Sequence, residues 1–193
     1  MKLFVDDAHD WTQALGQKHP QGAVFSRCRN YRYLLYREWE PLGPTCDEMT
    51  AAFIGLNPST ATASTDDPTI RRCVDFAKRL GYNKLLMLNL IPFITSDPAE
   101  LKRRPENRAA AERNRAYLRY YTGGIGSFAA DTICAWGAGV DKLRGEPCLL
   151  ANWQAIERPA YCLGKTKSGQ PRHPLYLAKT AQMVAFNECE FTA

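Results

Sequence analysis

The stretch FIGLNPSTATASTDDPTIRR, residues 53–72, decides the fold. Phe53, Ile54, Gly55 and Leu56 form an apolar run of strand length. Asn57-Pro58-Ser59-Thr60 breaks it at once. Asp66-Asp67-Pro68 then starts a helix, with an acidic N-cap and a proline in the first turn. Ile70, Cys73, Val74 and Ala77 recur at helical spacing, and Gly81 is a natural stop. In an open α/β sheet, ligands sit beyond the carboxyl ends of the strands. Residues 57–67 therefore read as a working loop; the alternative is an ordinary connection rich in small polar residues.

Working outward, KLLMLNLIPF (84–93) is a near-continuous apolar run, as expected of a central parallel strand covered on both faces. Asn89 interrupts it near its end. A buried amide must find partners, and it suits either loop backbone or the edge of a base. Further strands read at 51–56, 131–136 and 159–163, alternating with helices. That order predicts a three-layer α/β/α domain with a central, mainly parallel sheet. Residues 22–40 predict an N-terminal β-hairpin turning at Arg29-Asn30. Its second strand is aromatic (Tyr31, Tyr33, Tyr36, Trp39) and interleaved with Arg27, Arg29, Arg32 and Arg37. Such a strand either stacks bases and grips phosphates or simply presents a solvated basic face. The chain is expected to be one domain, with residues 1–47 as extension and hairpin and 48–193 as the α/β core. Residues 1–20 read as a helix-bearing lead-in, 105–121 as an arginine-rich helix, 141–150 as a short helix interrupted near Pro147, and 178–186 as a closing helix.

KTKSGQPRHPLYL (165–177) is the second informative stretch. It follows a strand and so lies at the same sheet edge. It holds Lys165, Lys167 and Arg172, a turn at Ser168-Gly169, and His173 between Arg172 and Pro174.

Composition sets the outer bounds. Hydrophobic content of 45% argues against disorder, and no run of about eighteen apolar residues predicts a membrane span. The N-terminus turns acidic too early for a signal peptide. Seven cysteines with no C-x-x-C pair read as free thiols in a reducing compartment, so a cytoplasmic protein without a metal centre is expected. The net charge of +5 permits a nucleic-acid partner without demanding one. No phosphate loop is present, since Gly123-Gly124-Ile125-Gly126 precedes a strand rather than a helix. No cofactor is expected.

Four of these segments resemble the uracil-DNA glycosylase superfamily. Gly55-Leu56-Asn57-Pro58-Ser59 is similar to its first motif, a strand ending in G-x-D/N-P. Leu86-Met87-Leu88-Asn89 is similar to its L-L-L-N strand end. Residues 135–142, AWGAGVDK, resemble its L-W-G-x-x-A-Q-K segment, and His173-Pro174-Leu175-Tyr176-Leu177 resembles its H-P-S-P-L loop. Residues 51–180 are covered, in the family's order. LNPSTA, DDPTIRR and GQPRHPLYL look closer still to an uncharacterised domain-of-unknown-function family of bacteria and phages, which brings no activity with it.

The first resemblance implies a metal-independent, monomeric DNA glycosylase that hydrolyses the bond between a flipped-out base and its sugar. Asn57 would position the water, His173 would donate to the departing base anion, and Asn89 would read the base edge. Leu177 falls where the family's wedge fills the gap left in the base stack, and Trp136 would pack rather than contact the base. The departures matter too. Ser59 replaces the tyrosine that excludes a 5-methyl group in the uracil-specific branch, which implies a larger, modified pyrimidine. Leu175 replaces the second motif's serine, moving phosphate contact to Lys165, Thr166 or Lys167, with Arg71 and Arg172 beside them. The loop residues Thr60, Asp66 and Asp67 face the base, and either aspartate supplies a catalytic carboxylate or caps the helix. Repair and defence against phages with modified DNA fit equally. Two other readings stay open: an N-glycoside hydrolase or transferase acting on free nucleosides or nucleotides, and a nucleic-acid-binding module without chemistry.

Overall fold

The computed structural model describes residues 20–40, 49–104, 107–122, 129–143, 145–156 and 159–186. Of the lead-in expected over residues 1–20, residues 1–19 lie outside them. Seven strands make one sheet: β1 (Gln21–Phe25), β2 (Arg32–Glu38), β3 (Thr50–Gly55), β4 (Lys84–Asn89), β5 (Asp131–Cys134), β6 (Ala160–Cys162) and β7 (Val184–Ala185), in the order β1-β2-β4-β3-β5-β6-β7. The four inner strands β4, β3, β5 and β6 are parallel, and the outer pairings are antiparallel.

Alternation along the inner strands builds two cores. Ala51, Phe53, Leu85, Met87 and Ile133 face helix α1 (Pro68–Arg79). Ala52, Ile54, Leu86, Leu88 and Cys134 face α3 (Arg108–Thr122) and α4 (Pro147–Gln154). The short α2 (Pro98–Arg103) adds Leu101 to the second core. Both faces of the sheet are thus covered, which is why strands β3 and β4 carry apolar runs rather than polar alternation.

Helix α1 forms as its sequence dictates. The Asp67 side chain accepts a hydrogen bond from the Ile70 N–H at 2.8 Å, and Pro68 occupies the first turn. Ile70, Cys73, Phe76 and Ala77 then bury one stripe. Gly81 follows the C-cap with φ +91°, a conformation glycine takes without a Cβ clash.

Three expectations change. The hairpin is not an appendage, because β2 pairs with β4 (Leu35 against Met87) and so extends the main sheet. Two of its arginines are not on a solvated face: Arg32 and Arg37 are buried, whereas Arg27 and Arg29 are exposed. Arg37 bonds the Thr62 carbonyl and pairs with Asp66 at 2.8 Å, and Arg32 bonds the Ala61 carbonyl at 2.9 Å. These arginines hold the 60–68 loop from beneath. Finally, residues 178–186 form turns and β7 instead of a closing helix. The Phe186 N–H donates to the Ala160 carbonyl and its ring packs on Trp136 and Trp153, so strand pairing and aromatic packing override local helix preference. Among the described residues, no helix is long and apolar enough to cross a membrane.

Candidate functional site

The chain leaves β3 through α1 to β4 on one side, then returns through α3 to β5 on the other. The two connections run over opposite faces, and the carboxyl ends of β3, β4 and β5 border the place where open α/β sheets leave a crevice. A cavity of about 230 Å³ lies there. An apolar cavity of about 150 Å³ already holds benzene, so a six-membered base with a substituent fits this volume.

Asn57 follows β3. Its Nδ2 donates to the Pro58 carbonyl at 2.9 Å and to the Thr95 carbonyl at 2.7 Å. Both amide hydrogens are thereby engaged, and the remaining group of this cavity-lining side chain is an acceptor, Oδ1. That is the group needed to orient a water.

His173 lines the same cavity from the other side. Its Nδ1 accepts from the Leu175 N–H at 3.4 Å as it caps a 3₁₀ turn, Pro174–Tyr176. The proton of the neutral ring therefore belongs on Nε2. Burial pushes the imidazole pKa below its usual value, and the Asp67 carboxylate opposes part of that shift. Near neutral pH the ring is uncharged and carries one donor. Gly137 makes its position possible: with φ +74°, an added Cβ there would come within 2.9 Å of the His173 Cβ.

Asn89 closes β4 and is fully buried. Its backbone carbonyl accepts from Asn114, but Nδ2 and Oδ1 of its side chain are both enclosed without a partner. Leaving such a group unpaired costs roughly 1–3 kcal/mol. Oδ1 sits 2.9 Å from where a Cβ on Gly55 would stand, so glycine at 55 makes room for the amide. Gly55 and Met87 line the cavity directly above it.

The two aspartates separate. Asp67 caps α1 and lines the cavity, whereas Asp66 is engaged by Arg37 and does not line it. Ser59 lines the cavity; Thr60 is exposed and does not. The placement of Asp66 and Thr60 against the base is therefore corrected. Leu177 is corrected as well. It is 8% exposed and packed in the α1 core, so it stands in no position to enter a base stack. The exposed apolar side chains of that loop are Leu175 and Tyr176. Lys165, Lys167 and Arg172 are exposed, and Thr166 ties the turn by accepting from the Gln170 N–H. Arg71 is exposed and bonds the Asp66 carbonyl. None of these five lines the cavity.

Sequence reasoning missed four participants. Arg32 lines the cavity; so do Thr95 and Ser96 of the loop before α2. Arg72 reaches from α1 to the carbonyls of Pro174 and Leu177 and ties the His173 loop to the helix. The proximity of the first arginine to the pocket depends on β2 pairing with β4, for which the hairpin sequence carried no signal. Trp136 is both packing and lining: its Nε1 donates to Gln170 at 3.0 Å, and it meets Trp153 and Phe186 edge-on.

The fold and site define an α/β protein with a pocket of about 230 Å³ beyond the carboxyl ends of its parallel strands. Residues 32–175 match the family described as "Protein of unknown function (DUF1643)", and the chain belongs to that family. No curated protein and no solved structure matches it significantly.

Proposed function

We propose that this chain is a DNA glycosylase that hydrolyses the N-glycosidic bond of a flipped-out, modified pyrimidine and leaves an abasic site. The observation that carries this reading is the convergence of Asn57 and His173, distant in sequence, on one cavity with room for a substituted six-membered ring. The three-layer α/β arrangement and the resemblance of the four strand-end segments support it.

In this mechanism the C1′–N bond breaks and its electron pair leaves with the base. Positive charge develops on the sugar and negative charge on the base oxygens. His173 Nε2–H donates to the base anion; one well-placed donor of this kind is worth roughly 2.7–4 kcal/mol. Asn57 Oδ1 accepts from the water that adds to C1′. An amide is too weak a base to take that proton, so it positions the water and the departed base anion is the proton's destination. Ser59 leaves space beside the ring for a 5-substituent. Lys165, Lys167, Arg172 and Arg71 supply exposed cations for the DNA backbone.

The test is a panel of labelled single- and double-stranded oligonucleotides bearing uracil, mismatched thymine, 5-hydroxymethyl and glycosylated pyrimidines, and deaminated purines. Alkali-labile abasic product from one base, lost in Asn57→Ala and His173→Ala, is the expected result. Absence of product from every base sinks the proposal.

The burial of Leu177 favours one second reading, hydrolysis or transfer at a free nucleoside or nucleotide, which needs no wedge. Release of free base from nucleosides, with no salt-sensitive binding of DNA, would select it.

A further inference from the structure

The cavity contains a cation that the fold leaves partly unused. Arg32 is 2% exposed and lines the pocket together with Ser59 and His173. Its Nη1 donates to the Ala61 carbonyl, while its Nε is enclosed with no hydrogen-bond partner. It forms no ion pair among the described residues, and Asp67 acts on it only as a nearby charge. Burial lowers its pKa to about 10, still far enough above neutrality to keep the guanidinium charged. Beside it, across Gly55 and Met87, lies the fully enclosed and unpartnered amide of Asn89. Of these two buried side chains on adjacent strands, each with unused hydrogen-bonding capacity, Arg32 lines the cavity and Asn89 lies behind it. The Ala61 contact gives Arg32 one structural role, but an apolar residue at either place would fill the space without an orphaned polar atom.

We propose that Arg32 forms the specificity edge of the pocket, selecting a ligand that presents an oxygen there and rejecting one that presents an amino group. A guanidinium only donates and stays charged, so an oxo or ionised oxygen is matched and an exocyclic amine is opposed. The inference rests on the proposal that this cavity holds a base. The oxygen has two chemical sources, a ring carbonyl or an ionised substituent, and the experiment separates them.

The full chain would be titrated with free uracil, cytosine, 5-hydroxymethyluracil and 5-carboxyuracil, with binding followed by ligand-observed NMR and calorimetry. Uracil is expected to bind about ten- to hundredfold more tightly than cytosine. In Arg32→Met that ratio should collapse toward one. Arg32→Lys, which keeps a donor-only cation, should retain part of it and covers the case in which loss of the Ala61 contact unfolds Arg32→Met. A further gain for 5-carboxyuracil over 5-hydroxymethyluracil assigns the oxygen to an ionised substituent; equal binding of those two assigns it to a ring carbonyl. Equal affinity for uracil and cytosine, or no binding of any of the four, overturns the proposal. Oxo preference without abasic product would leave this inference standing and remove the glycosylase reading. Abasic product with the oxo-to-amino ratio unchanged in Arg32→Lys and Arg32→Met would do the reverse.

Discussion

At the scale of single residues, His173 is controlled from two directions. Gly137 fixes where it sits, and burial against Asp67 sets its proton. Gly137→Ala imposes a left-handed conformation, costing about 1–2 kcal/mol, and pushes on the His173 Cβ at the same time. Its turnover should fall far more than its melting temperature, a comparison made by running both assays on one preparation. The ring's pKa is depressed, so its neutral form is favoured in the folded state. That contribution to stability is complete above the ordinary histidine pKa of about 6.5 and is lost as pH falls through the lower folded value. Protonation keeps the Nε2 donor but places a proton on Nδ1, which can then no longer accept from the Leu175 N–H; glycosylase activity should follow the same acid limb if that contact holds the ring in its working position. Asp67→Asn removes the charge that opposes the shift, and asparagine still caps a helix. The limb of the pH–rate profile should therefore move to lower pH with little loss of stability. A limb that stays in place would show that another group controls it.

Among elements, α1 connects core to site. Phe76 is buried in the core between helix and sheet, and Arg72 stacks on its ring at 4.7 Å before reaching the His173 loop. Phe76→Ala should cost roughly 3–5 kcal/mol in denaturant unfolding. Arg72→Ala leaves that core intact but releases the carbonyls of Pro174 and Leu177. Amide hydrogen exchange in residues 173–177 should rise and KM should increase, while the unfolding midpoint shifts little. Leu177→Ala tests the corrected position of that side chain. As a core residue it should lose roughly 2–5 kcal/mol of stability. As a wedge it would instead lose activity on duplex substrate and spare stability.

Across the whole molecule, the sheet order decides function more than any one strand does. β3 lies between β4 and β5, and the β3–β4 and β4–β5 connections run over opposite faces, so the loops after β3, β4 and β5 converge on one crevice with the 165–177 loop. If that crevice receives DNA, binding should weaken steeply with salt as backbone contacts release counterions. A titration of duplex affinity against salt should give a clearly negative slope that is reduced by Lys165→Ala and Lys167→Ala. A flat response would favour small-molecule substrates.

The local pattern of residues specified the inner strands and α1. The apolar runs at 51–56 and 84–91, the Asp67-Pro68 helix start and the Ile70–Ala77 stripe each carry a local signal, and local signals survive without tertiary context. It also marked Asn57, Asn89 and His173 by their place at strand ends. Only the tertiary structure decided which neighbours they acquired. β2 joined β4 through backbone pairing, which carries no composition signature, and so brought Arg32 to the pocket and Arg37 to Asp66. Residues 178–186 gave up a helical pattern because pairing with β6 and burial of Phe186 outweigh a weak local preference. Leu177 turned inward for the same reason: an apolar side chain in a short loop reads alike whether it meets a ligand or the core, and burial against α1 is what settles it.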